Sequence, residues 1–360
     1  MTSTTGTFDE ALLTPRRAWT CLALFALCFA VYFAIAFLLP HDRYIRYQQF
    51  TDSDLFRTRW VYERIHFDKT PIDVAIIGSS RVEAAISAPI LEKELSEKFG
   101  RTIHVANLAV PQEGRNLHYL IARELIENHP ETKMILVSVV EEADLSHPAF
   151  RYFADPGDLV RAPLLVSHYY FPDAAFLPYR QLSYFMQTLF PPWFGVSRSF
   201  RSDYAGTNFD TTYSFHLPSG KLVDRYYIQP KEKLDAESQQ RIQELGGSWH
   251  PPSAWQAANA PLEREYTKRL VSVAKEHCVE TVFVRLPFYN SPAHIYDEAF
   301  YSGLSPLLDA EQLSGDPHNF QDMGHFNRYG TDLVTPWLKE AISPYLAPLQ
   351  DPASCYLGKH

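Results

Sequence analysis

The sequence predicts an α/β protein built on a parallel sheet and tethered by one N-terminal membrane helix. Three observations carry this reading. Apolar runs at 73–78, 102–107 and 134–140 alternate with helical patterns at 87–98 and 114–127. The alternation returns at 261–277 and 280–285 after a long irregular middle, and a closing helix is expected at 328–342. An uncharged run from Ala18 to Leu39 follows Arg16-Arg17 and is closed by Pro40. Strands that are apolar throughout and separated by helices form parallel sheets covered on both faces.

Composition bounds the remainder. The 360 residues exceed the usual single-domain size, yet one elaborated α/β domain at 72–345 can absorb most of them. A hydrophobic share of 46% supplies a large core. A net charge of −9, with no basic stripe interleaved with aromatics, argues against a nucleic-acid partner. Aromatics at 14% and 26 prolines concentrate in the middle of the chain, which indicates packed irregular segments, since disordered segments are poor in aromatics.

Taken in order, residues 1–17 read as a short polar tail and 18–39 as a single transmembrane anchor. The run is long enough to cross a bilayer and too long for a typical signal-peptide core. Ala34-Ile35-Ala36 offers a small-residue cleavage site, so a signal peptide is the alternative. A buried core helix would show a polar face, and this run has none. Arg16 and Arg17 before it nearly balance Arg43 and Arg46 after it. The short tail favours an N-inside topology, with the domain on the periplasmic or extracellular side of the cytoplasmic membrane. Cys21 and Cys28 fall within the anchor, while Cys278 and Cys355 can pair in an oxidising compartment, though their spacing does not require it. No Cys/His set has zinc-ligand spacing, and neither a metal nor a cofactor is expected.

Residues 40–71, mixed aromatic and charged, read as a stalk or linker. In the domain, Ser87 is the expected cap of the 87–98 helix and Gly100 its end. The insertion at about 142–260 carries Tyr169-Tyr170-Phe171-Pro172, Phe190-Pro191-Pro192-Trp193-Phe194 and Trp249-His250-Pro251-Pro252, with a helix at 234–245. Long irregular segments are often lids or binding segments, so substrate binding and partner docking both fit it. Residues 346–360 read as a tail.

Two stretches carry chemistry. Ile76-Ile77-Gly78-Ser79-Ser80-Arg81 ends a buried strand in a tight turn that opens a helix. A serine there meets free backbone N–H groups and the positive end of the helix dipole, which suits a nucleophile beside an oxyanion site. It suits an ordinary N-cap equally well. Asp322-Met323-Gly324-His325-Phe326-Asn327-Arg328-Tyr329-Gly330 places a carboxylate three residues from an imidazole, so Asp322 can hold His325 in the tautomer that takes a proton from serine. The plain alternative is a polar loop with Asn327 capping the last helix. Arg81 is expected to pair with a nearby acid such as Glu83 or to bind an anionic substrate group.

Together the two stretches resemble the SGNH (GDSL-type) hydrolase superfamily, and over about 72–140 and 261–342 the chain follows its order of motifs. In that pattern Ser80 matches the nucleophile, Ser79 replaces the usual aspartate, and Asp322 and His325 match the terminal Asp-x-x-His. The Gly-Ser-Ser variant, the anchor and the His-Phe-Asn-x-x-Gly ending look closest to the membrane-anchored branch. That branch includes alginate O-acetylation proteins and the D-alanyl transfer protein of the teichoic-acid system. The resemblance implies a flavodoxin-like three-layer fold and a Ser80–His325–Asp322 triad, with Gly114 the candidate second oxyanion donor. Asn107 stands in the same stretch as a binding residue or as the group that fixes the turn. The superfamily's third donor, an asparagine after strand three, has no counterpart in Val139-Val140-Glu141-Glu142-Ala143-Asp144. The implied activity is acyl transfer from a donor to a surface or secreted polysaccharide, with a membrane-bound O-acyltransferase as a possible partner. An esterase with the same triad, or a non-catalytic docking subunit of such a system, are the alternatives.

Overall fold

The apolar run behind Arg16-Arg17 folds as one helix, α1 (Pro15–Leu38), in the computed structural model, which describes residues 15–139, 146–247, 249, 260–292 and 297–350. The stretch after the third strand at 140–145, the His250-Pro251-Pro252 turn and Cys355 lie outside the described residues. Helix α1 has 24 residues and spans about 36 Å at 1.5 Å per residue. Its length and composition suit a membrane crossing, and Ala36 is its only buried residue.

Residues 40–71 are not a free stalk. They form α2 (Arg43–Tyr47) and α3 (Arg57–His66), and Tyr44, Tyr47, Trp60, Val61 and Ile65 are all buried in the main core. The mixed pattern that suggested a stalk reflects paired charges within that layer. Arg46, itself buried, bonds the Phe153 carbonyl at 3.0 Å and the Asp155 carboxylate at 2.7 Å.

The sheet and its helices follow: β1 (Val74–Ile77), α4 (Ser80–Ala85), α5 (Ala88–Phe99), β2 (Val105–Asn107), α6 (Arg115–Asn128) and β3 (Met134–Val139). The insertion contributes α7 (Phe150–Phe153), α8 (Pro156–Val160), α9 (Tyr170–Leu189), a small hairpin of β4 (Phe215–His216) and β5 (Leu222–Val223), and α10 (Lys231–Glu244). The domain closes with α11 (Pro261–Glu276), β6 (Glu280–Arg285), α12 (Glu298–Ser302), β7 (Leu307–Asp309), β8 (Phe320–Asp322), β9 (His325–Phe326) and α13 (Arg328–Leu346).

Five strands form one parallel sheet in the order β2-β1-β3-β6-β7. Counting those strands alone, the order is 2-1-3-4-5, that of flavodoxin-like doubly wound sheets. Alternate residues serve opposite cores. Ala75, Ile77, Ile135, Val137 and Phe283 join the layer of α3, α6 and α11, while Val74, Ile76, Leu136, Val282 and Val284 join that of α5 and α13. Both faces are therefore dry, which explains strands without polar alternation. The fifth strand, β7, is three residues long and gave no sequence run. Arg285 at the end of β6 holds it through Asp309, at 2.9 and 3.0 Å.

Candidate active site

Ser80 opens α4 directly past the carboxyl end of β1, and β1 lies between β2 and β3, where the strand order reverses. Ligands of open parallel sheets bind at such switch points. The adjacent serines divide the work. Ser79 is the N-cap, with extended backbone and a hydroxyl that accepts from the Arg81 amide at 3.4 Å. The Ser80 hydroxyl is thereby released from capping and lies 2.7 Å from His325 Nε2.

His325 Nδ1 is 2.9 and 3.0 Å from the two carboxylate oxygens of Asp322. These contacts assign the protons: Nδ1–H donates to Asp322, and the Ser80 hydroxyl donates to Nε2. Asp322 and His325 meet because β8 and β9 pair antiparallel around Met323-Gly324, with the two residues opposite one another. Asp322 Oδ1 also accepts from the Gly324 amide at 2.8 Å and the His325 amide at 2.9 Å. Burial pushes the carboxyl up, but the His325 ring and these amides outweigh it and hold it below the ordinary carboxylate range. The carboxylate therefore remains ionised against the imidazole.

The hairpin is fixed from below. Phe320 and Phe326 are buried and stack with ring centroids 4.6 Å apart. Asn327 caps α13 by accepting from the Gly330 amide at 3.1 Å, and its own amide donates to the His318 carbonyl at 2.8 Å. Gly330 is needed because a Cβ there would stand 2.5 Å from Phe326 Cδ1 and 2.6 Å from the Asn319 carbonyl oxygen. One residue on, Thr331 Oγ1 donates to the Ala84 carbonyl at 2.9 Å, joining the histidine half of the site to the serine half.

Arg81 and Asn107 both take structural positions. Arg81 does not take the place foreseen for it beside Glu83. Its guanidinium donates to the carbonyls of Gly324 (3.1 Å) and Leu286 and lies 3.6 Å from the centre of the Phe288 ring. It braces the turn that carries His325, a positioning role. Glu83 sits instead between Arg57 (3.5 Å) and Arg225 (3.7 Å), all three buried. Nothing in the local sequence marks this trio, because its members come from α3, α4 and the insertion. Asn107 is likewise structural. Its amide donates to the carbonyls of Val82 (3.1 Å) and Ile86 (2.8 Å), and its oxygen accepts from the Ala109 amide, so both amide hydrogens are used in fixing the turn.

Gly114 caps the N-terminus of α6 at φ 148°, and a Cβ there would stand 2.2 Å from the His147 amide nitrogen, so only glycine fits. The backbone N–H groups of Ser80 and Gly114 have no acceptor among the described residues. The loop that carries Gly114 begins beside the Ser80 turn, where the Val110 amide donates to the Gly78 carbonyl at 2.9 Å.

Next to that loop lies a cavity of about 350 Å³, lined by Gln112, Glu113, His147, Arg151, Tyr169 and Asp173. His147 is fixed as a neutral ring: Nε2–H donates to the Pro111 carbonyl at 2.9 Å, Nδ1 accepts from the Ala149 amide at 3.0 Å, and burial pushes it down to about 4. Asp173 on α9 is 7% exposed and its carboxylate accepts no hydrogen bond from the described residues. Burial pushes it up to about 6, against the pull of Arg151 and Arg180. It directly follows the aromatic stretch Tyr169-Tyr170-Phe171-Pro172, and nothing in the sequence singled it out. Among the described residues no three His, Cys, Asp or Glu side chains converge as a metal site. Comparison with known proteins gave no match to a family model and none to a curated protein.

Proposed function

We propose that this chain is an SGNH-type acyl-transfer enzyme held at the outer face of the cytoplasmic membrane, with Ser80 as nucleophile, His325 as general base and Asp322 as its orienting carboxylate. The observation that carries this reading is the unbroken hydrogen-bonded line from Ser80 through His325 to Asp322 at the switch point of a parallel sheet. His325 Nε2 takes the Ser80 proton as Oγ attacks the ester carbonyl of the donor. The tetrahedral oxyanion is received by the Ser80 N–H, with Gly114 N–H the second candidate. Collapse expels the donor alcohol, which takes the proton from His325 and leaves an acyl-serine. His325 then deprotonates the acceptor hydroxyl, which attacks the acyl carbon and restores Ser80. Asp322 stabilises the imidazolium in both halves.

Water as acceptor makes the same residues an esterase. Transfer to a polysaccharide is favoured by the tether, since fixing donor and acceptor near one surface raises their effective concentration. Cys278 is disulfide-bonded, whereas Cys21 and Cys28 on α1 are free thiols, a division that suits a domain in an oxidising compartment. The test is a Ser80→Ala strain assayed for alkali-labile acetate on its surface glycans, with fluorophosphonate labelling of the purified wild-type chain. Loss of those esters, together with labelling at Ser80, is the expected result. Retained esters with brisk hydrolysis of acetyl esters would leave an esterase, and no labelling of folded protein would leave a docking subunit.

A further inference from the structure

We propose that the outward face of α9, continued by the turn after it, is a second membrane contact that seats the domain on the lipid surface beside α1. The face consists of Phe171, Tyr179, Leu182, Met186, Leu189 and Trp193, all exposed. From Tyr179 onward they recur at intervals of three and four, so they form one stripe. The stripe runs about 27 Å along the helix. The two charged residues of α9, Asp173 and Arg180, are buried on its other side. Scattered exposed apolar residues are ordinary, but a continuous stripe of this length marks an interaction surface.

Its position identifies the occupant as lipid. The Gln181 side-chain amide donates to the Phe37 carbonyl in the last turn of α1 at 3.4 Å, and the Asp42 amide donates to Thr188 Oγ1 at 3.1 Å. The second half of α9 is thus held in register with the end of α1. If α1 crosses the bilayer, that end lies at the lipid headgroups, and so does the stripe. Its residue types fit that depth, since Trp193, stacked on Phe190 at 4.8 Å, and Tyr179 belong to the aromatic kinds that settle at membrane interfaces. Arg198, following the same turn, is exposed and reaches back to Asp42 at 3.8 Å, where anionic headgroups would meet it. An apolar helix face with such a rim lies in the interface about 5–10 Å deep, without spanning it.

The test uses the full chain in vesicles of phosphatidylcholine and phosphatidylglycerol, in a Cys21→Ser/Cys28→Ser background labelled under non-reducing conditions. Met186→Cys and Leu182→Cys each carry an environment-sensitive maleimide fluorophore. Leu27→Cys on α1 reports the span, Lys93→Cys on α5 reports the opposite layer of the domain, and the background without added cysteine gives the blank. Lipids brominated near the carbonyl end of their chains should quench the 182 and 186 labels roughly twofold, as expected for interfacial burial, and leave 93 unchanged. Iodide in the buffer should do the reverse. Quenching at 27 without quenching at 182 and 186, and with iodide reaching both, would overturn the proposal while leaving the anchor intact. Protection of 182 and 186 from both quenchers would also overturn it, because the face would then be covered by protein, a second copy included. Failure at 27 as well would place the error in the anchor itself. None of these readouts depends on Ser80 chemistry.

Discussion

At the scale of single residues, the site turns on how neighbouring groups divide capping, bracing and chemistry. Ser79 takes the cap, so Ser80 is spare; Arg81 takes the brace, so the His325 turn is fixed. Asp322 is held below the ordinary carboxylate range, so its contribution to stability is present above the unfolded value and is lost as pH falls through the lowered one. Asp173 behaves oppositely. Its folded value of about 6 stands above the ordinary 3.8, so the native state binds the extra proton and stability declines as pH rises from about 4 to about 6. Above that window the buried carboxylate, which accepts no hydrogen bond from the described residues, costs on the order of 2 kcal/mol. Asp173→Asn is therefore expected to raise the melting temperature at pH 8, with the gain shrinking towards zero at about pH 4. Melting curves across that range check it, and an equal gain at all pH values would show that the carboxylate charge is not the cause.

At the scale of elements, much of the frame was legible and the reasons are local. Asn327 pointed to the start of α13, because capping is written in adjacent residues, whereas the Asp-x-x-His spacing brought the two side chains together without showing that a β8–β9 hairpin does it. Helices α5, α6 and α11 and strands β1, β3 and β6 came within a few residues of their expected bounds, because both their apolar faces and their breaks are periodic. Helix α9 was not legible. Pro178 inside it and its aromatic content hide the period, and Arg180 is buried through the carbonyls of Arg151 and Ala154, partners distant in sequence. The positions of Arg81 and Glu83 were likewise set by partners that no local pattern names, whereas the turn-fixing alternative for Asn107 could be read locally. A tight element-level constraint is Gly330, where α13 starts against the hairpin. Gly330→Ala forces its Cβ onto the Phe326 ring and the Asn319 carbonyl, and the backbone atom cannot swing aside as a side chain can. Overpacking of this kind costs about 1–3 kcal/mol, and it should also displace His325. Both effects are measurable, the first by chemical denaturation and the second as slower fluorophosphonate labelling of Ser80. Unchanged labelling in a destabilised variant would mean that the hairpin holds its place without α13.

At the scale of the whole molecule, the unexpected feature is that the tether is rigid. The segment after α1 is bolted to the domain by Arg43 and Arg46 on Asp155, by the buried aromatics of α2 and α3, and by α9 against the end of α1. A domain so attached holds the Ser80 turn at one height and one tilt relative to α1. Flexible linkers confer proximity alone, with an effective concentration set by their length. A rigid mount adds orientation, which has value only if the donor or acceptor is itself fixed at the membrane. Under the proposed reading, inserting a short Gly/Ser linker between Leu39 and Pro40 should preserve proximity and lose orientation. Hydrolysis of a small diffusible acetyl ester by the purified variant should match the wild type. Esters on the surface glycan, read as alkali-labile acetate, should fall several-fold in cells that carry the insertion at equal expression. Equal falls in both would mean that the insertion damages the site, and the Ser80 labelling rate separates that case. Full retention of the glycan esters would show that proximity is sufficient and that the packing of residues 40–66 serves stability alone.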